Sequence, residues 1–137
     1  MKLPPTENAL LVRTDFSNQN AWKRLISDAQ EPADPFIFSM EIVDDRANSG
    51  ATAEQIMTAL PAEYPHSFIM LADGPSMSEP DFPLLVVDVT GDAGRRFRAV
   101  ALQIASIDNN LSLGNMDFAE FAESVDETGI FRGLPGL

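Results

Sequence analysis

Five aspartates are placed where a sheet-based site would need them. Asp15, Asp44, Asp45, Asp73 and Asp88 each fall at or near the C-terminal end of an apolar segment that reads as a β-strand. If those strands run parallel, the carboxylates gather on one edge, where open α/β sheets bind ligands. Clustered carboxylates with water in the remaining positions suit Mg²⁺. Arg13 and Arg46 lie close by in sequence and could grip an anionic group bidentately. The plainer reading is that aspartate is a common cap and turn residue, and strand ends are where turns occur.

Asn109 and Asn110, with Asn115 beyond them, are the next candidates. Amides between two apolar helices either cap helix ends and bond loop backbone or serve recognition. Arg95, Arg96 and Arg98 hold a third of the nine basic residues within four positions. They suit an anion patch or, more simply, an edge strand guarded by charge. His66 is the only histidine, and it precedes a strand, at the end of a parallel sheet opposite the usual site. A Ser–His–carboxylate triad needs that histidine beside a nucleophile, so His66 reads as a loop or capping residue. The first strand-to-helix turn, Asp15-Phe16-Ser17-Asn18, has no glycine to let backbone approach a pyrophosphate.

The elements that must position these residues are organised around Pro83-Leu84-Leu85-Val86-Val87-Asp88-Val89-Thr90, a β-branched apolar run that does not alternate until Asp88. That pattern predicts a strand covered on both faces near the middle of a sheet. Residues 1–8, with Pro4 and Pro5, predict an extended arm. A strand over 9–16 follows, then a helix capped by Ser17, with Trp22, Leu25, Ile26 and Ala29 on one face. Pro32 and Pro35 end it. Strands are expected over 36–43 and 68–72, and between them a short helix opened by the capping box Thr52-Ala53-Glu54-Gln55.

Gly91-Asp92-Ala93-Gly94 predicts a hairpin onto 96–100 as an edge strand. Helices are expected around Ile104, Ile107 and Leu111, ending at Gly114, and from Asp117 to Gly129. The tail, carrying Phe131, Leu134 and Leu137, is expected to pack. The nine residues from Gly74 to Phe82 are short for a parallel crossover. Composition nevertheless favours a parallel central strand, with one turn of helix within 76–81. The expected fold is an α/β layered αβα sandwich, with a mixed, mainly parallel five-stranded sheet and two C-terminal helices, in one domain.

Composition narrows function mostly by exclusion. The 137 residues carry 21 acidic and 9 basic side chains and no cysteine, a net charge of −12. That leaves no disulfide framework, thiolate metal site or cysteine nucleophile. The charge speaks against nucleic acid and fits a basic protein partner, a metal ion or plain solubility. No apolar run reaches the ~20 residues of a membrane span. With no signal peptide read at the N-terminus, a cytoplasmic location is expected.

Leu10-Leu11-Val12-Arg13-Thr14-Asp15-Phe16-Ser17, Glu41-Ile42-Val43-Asp44-Asp45, Leu85-Val86-Val87-Asp88, the stretch 109–118 and Phe131-Arg132-Gly133 together resemble a family of small, mostly actinobacterial proteins known only as a domain of unknown function. The asparagine-rich stretch is the most specific part. The resemblance implies a stand-alone domain and carries no activity with it. Two functions are therefore expected in order. The first is a non-catalytic acidic binding or regulatory protein acting through protein contacts, immunity-like in one version, needing no cofactor. The second is a small Mg²⁺-dependent enzyme acting on a phosphorylated or carboxylated metabolite.

Overall fold

The computed structural model describes residues 3–31 and 37–134. Among them are six strands and five α-helices. In chain order these are β1 (Leu10–Arg13), α1 (Gln19–Ala29), β2 (Glu41–Val43), α2 (Ala53–Ala59), β3 (Phe68–Ala72), α3 (Gly74–Ser78), β4 (Leu84–Asp88), β5 (Arg96–Ala99), α4 (Ile104–Ser112), α5 (Phe118–Ala122) and β6 (Ile130–Phe131). The sheet order is β2-β1-β3-β4-β5-β6. No helix of the described residues is long and apolar enough to cross a membrane.

β1 pairs in parallel with both β2 and β3, as the intervening helices require. The expectation of a mainly parallel sheet fails at β4, whose pairings with β3 and β5 are both antiparallel. Loop length decides this: a parallel return needs a dozen or more residues. The connection holds only the short α3 and a tight reversal through Asp81 and Phe82, both at positive φ. The apolar run misled because burial on both faces does not require parallel neighbours. Leu84, Val86 and Val87 are all fully buried in an antiparallel setting.

The strand count is also corrected, from five to six. Ile130 and Phe131 pair in parallel with Arg98 and Ala99, so β5 is not an edge strand. Two residues are too few to give a period-two signal.

Alternation along the strands sends side chains to two buried clusters. Leu11, Met70, Val86 and Phe97 pack with Trp22 and Leu25 of α1, Ile104 and Ile107 of α4, and Phe121 of α5. Leu10, Val12, Ile69, Leu71 and Val87 pack with Ala53 and Ile56 of α2.

Several local expectations hold. Thr52 and Gln55 form the reciprocal capping box, as do Asp117 and Glu120 at α5. Gly114 follows α4 at φ 73. Phe131 is buried, and Leu134 packs against the larger cluster.

Others are corrected. Asn18, not Ser17, caps α1, accepting from the Ala21 N–H. α5 stops at Ala122, and Gly129 belongs to the turn into β6. β2 is shorter than expected because Ile37 and Ser39 run against α4. There the Ile37 carbonyl accepts from Asn109 and the Ser39 hydroxyl donates to Asp108. Pro32, Pro35, Phe36 and Leu137 lie outside the described residues.

Candidate functional site

The C-terminal ends of β1, β2 and β3 form one edge of the sheet, and Arg13 is its hub. As the last residue of β1 it is only 2% exposed. Its Nε donates to the Asp15 carbonyl (2.9 Å), and Nη1 donates to Gln19 Oε1 (3.0 Å) and Asp44 Oδ1 (3.3 Å). Cζ lies 4.4 Å from the Phe16 ring centroid and 4.8 Å from that of Trp22, within cation–π range. Arg46 approaches the same Phe16 ring at 5.1 Å. Nη2 is buried and, among the described residues, has no hydrogen-bond partner. The nearby aromatic faces are weak acceptors that lower the cost of leaving it so.

The edge aspartates are each engaged locally. Asp15 accepts from the backbone N–H and the hydroxyl of Ser17. Asp45 caps the 3-10 turn Arg46–Asn48 through the Ala47 N–H (2.9 Å). Asp73 caps α3 and receives Arg98 bidentately, Nη1 to Oδ1 at 2.9 Å and Nη2 to Oδ2 at 2.8 Å. Burial alone would raise the Asp73 carboxyl. The Arg98 guanidinium and the Ser76 donors outweigh it and hold the group below the usual range. Among the described residues, no three His, Asp or Glu side chains come together as a group that could hold a metal ion. A cleft of about 410 Å³ beside α3 is lined by Asp15, Ser17, Asn18 and Gly74, and one of about 620 Å³ beside β2 by Asp44 and Asp45.

Asp88 is not on this edge. Because β4 runs antiparallel, its C-terminal end lies beside Phe68 at the start of β3. There the buried carboxylate accepts from the N–H groups of Thr90 (3.0 Å) and Asp92 (3.1 Å) and shapes the hairpin turn. Asn109 joins the Ala105 carbonyl of its own helix to that of Ile37, and Asn110 bonds the Ser106 carbonyl. Arg96 reaches Glu54 of α2. The arginines of β5 thus tie strand to helix instead of guarding an edge.

The opposite edge also holds a polar chain that sequence reasoning missed. His66 Nε2 lies 2.7 Å from the Glu7 carbonyl, and Nδ1 lies 3.4 Å from Ser112 Oγ. Ser112 donates to Asp108 Oδ1 (3.1 Å), whose other oxygen accepts from Ser39 (2.7 Å). The one available signal was an aspartate and a serine four apart on α4, with Asp108 amid apolar positions. The order along this chain is His–Ser–Asp. A nucleophilic site instead puts histidine between serine and carboxylate, so that imidazole takes the serine proton. Here the serine hydroxyl donates directly to the carboxylate, and the arrangement ties the arm, β3 and α4 together.

Residues 8–134 match the model of the family described as domain of unknown function DUF6924. The chain belongs to that family. The match takes in β1 through β6 and every residue of the two edges just described except Glu7. None of the curated proteins matches the chain. Membership in DUF6924 thus carries a fold-length unit and no assigned chemistry.

Proposed function

We propose that this DUF6924 chain is a non-catalytic binding or regulatory protein that acts on a basic protein partner, an immunity-like role being one version. The observation that carries the reading is how its charge is distributed. Five of the nine basic residues, Arg13, Arg95, Arg96, Arg98 and Arg132, pair with the chain's own carboxylates. The net charge of −12 is therefore carried by surface acids such as Glu41, Glu63, Asp92, Glu120 and Glu127. Such a surface speeds encounter with a basic protein and repels nucleic acid and anionic membranes.

The Mg²⁺-dependent enzyme is the second reading. It needs several carboxylates in one coordination sphere, whereas Asp15, Asp45 and Asp73 each serve a local cap or pair. A cytoplasmic location, an actinobacterial distribution and the αβα layering belong to the same proposal. Two buried clusters built on alternate strand residues support the layering.

The test is capture on the immobilised protein from lysate of the native host, with mass spectrometry, at ~150 mM salt, where only short-range electrostatics survive. Basic proteins released by raised salt are the expected result. Retention of acidic proteins or nucleic acid alone, or Mg²⁺-dependent turnover of a phosphorylated metabolite, would overturn it.

A further inference from the structure

The arm Leu3–Asn8 and the loop leading from α2 into β3 enclose a cleft of about 400 Å³. Pro5, Thr6 and Glu7 form one wall, and Pro61, Glu63, Tyr64 and Pro65 the other. The lining is short of hydrogen-bond donors. Its three prolines have no N–H. The Tyr64 N–H donates to the Pro61 carbonyl (3.0 Å), and its hydroxyl donates to the Phe68 carbonyl (2.8 Å) while accepting from the Leu10 N–H. Burial pushes the Tyr64 phenol up, so it stays neutral.

Glu7 and Glu63 are exposed, and among the described residues neither carboxylate has a hydrogen-bond or ion-pair partner. Thr6 Oγ1 accepts from the Asn8 N–H, so the cleft offers apolar ring faces, one hydroxyl and two carboxylates. The ligand that fits has an apolar stem and a cationic end that brings its own donors. The wall is also held in place. The Glu7 carbonyl accepts from His66 Nε2, which fixes the arm against the lead-in to β3, so little ordering remains to be done on binding.

We propose that this cleft receives a lysine side chain from an extended basic segment of a protein partner. The proposal rests on the reading of the chain as a binder of basic proteins and names where that contact is made. The four methylenes lie along the proline and tyrosine faces. The ammonium, a compact charge with three donors, sits between the carboxylates of opposite walls and close to the electron-rich Tyr64 ring.

The test is titration with a labelled hexalysine peptide at ~150 mM salt, read by fluorescence anisotropy and by amide shifts in the protein's NMR spectrum. Shifts centred on Glu7, Glu63 and Tyr64 are expected. Replacing two rim carboxylates, each contributing up to ~1 kcal/mol, should weaken binding about tenfold in Glu7→Gln/Glu63→Gln. The control Glu31→Gln/Glu79→Gln removes the same charge elsewhere and should change binding less than about twofold, a few tenths of a kcal/mol. All four substitutions are at exposed positions, and unchanged melting confirms that each variant is folded. Equal weakening in both double variants with dispersed shifts would overturn the cleft while leaving an acidic-surface binder standing. Absence of hexalysine binding would overturn the cleft too, and the lysate capture then decides the broader reading on its own.

Discussion

The two edges of the sheet handle buried charge differently. At the C-terminal ends of β1–β3, a buried guanidinium is balanced by a carboxylate that is 45% exposed, a glutamine and two aromatic rings. At the other edge the buried charges are anions. Asp88 takes backbone N–H groups, and Asp108 takes two serine hydroxyls. An arginine side chain stays protonated in proteins, so a site that buries one must always supply a counter-charge. A carboxylate among neutral donors carries no such demand. The first edge should therefore fail when its exposed partner is removed, and the second should tolerate loss of its charge.

The largest effect is expected at Asp44. Asp44→Ala leaves Arg13 buried and without its anion, and breaking a buried pair in that sense costs about 3 kcal/mol, the rings and Gln19 keeping it near the low end. Arg13→Met leaves a half-solvated carboxylate and fills the space, so about 1 kcal/mol is expected. The double variant Asp44→Ala/Arg13→Met should be more stable than Asp44→Ala alone, in urea unfolding analysed as a mutant cycle. Simple additivity of the two single losses would show that the pair is not coupled.

A second arginine on the same edge sharpens the comparison through pH. Arg98 holds the Asp73 carboxyl below its ordinary range. A depressed folded value means the unfolded chain binds the proton more readily. The stabilisation is therefore fully present above the unfolded carboxylate value of about 3.9 and lost as pH falls through the folded one. Arg98→Met should cost about 2 kcal/mol at neutral pH, the scale of hydrogen bonds to a charged group. The gap from wild type should hold through pH 5–8 and close in acid. A gap unchanged at the acid end would mean that Arg98 stabilises by packing alone.

How far these edges could be read in advance follows from range. Caps and turns are local, so Thr52, Asp117 and Gly114 declared themselves within four residues. The direction of β4 was hidden because burial is a property of neighbours, which an apolar run does not name. One misassigned direction moved Asp88 to the far edge. His66, Ser112 and Glu7 meet only through the tertiary fold, 46 and 59 residues apart. No spacing rule reaches that distance. β6 was too short to show a period.

A smaller effect is expected at the second edge. Asp108→Asn keeps the shape, and the hydroxyls of Ser39 and Ser112 can turn to accept from an amide or bond to water, since both residues are exposed. Removing a buried charge whose partners are neutral should cost within about 1 kcal/mol. A loss above about 3 kcal/mol, the scale of a broken buried ion pair, would point to a cation. It would mean that Asp108 balances a charged His66 through Ser112, erasing the contrast between the edges.

The smallest effect is expected from divalent metal, and it tests whether the first edge is complete as it stands. Were Asp15, Asp44 and Asp73 to share one sphere, they would repel one another in the empty protein, and an ion binding only the folded state would stabilise it by RT ln(1 + [L]/Kd). At a hundredfold excess over Kd that is ~2.7 kcal/mol, several degrees of melting temperature for a domain of this size. In the structure, Asp15 accepts from Ser17, Asp44 faces Arg13, and Asp73 is filled by Arg98 and Ser76. An incoming cation would have to displace those donors, including two guanidinium groups, before gaining any carboxylate. Millimolar Mg²⁺ should therefore shift melting by under ~1 °C relative to EDTA, the scale of weak screening by added salt. Asp15→Asn should leave that small shift unchanged. A rise of several degrees that disappears in Asp15→Asn would show that the caps yield to metal, and would move the protein from the binding class to the enzyme class.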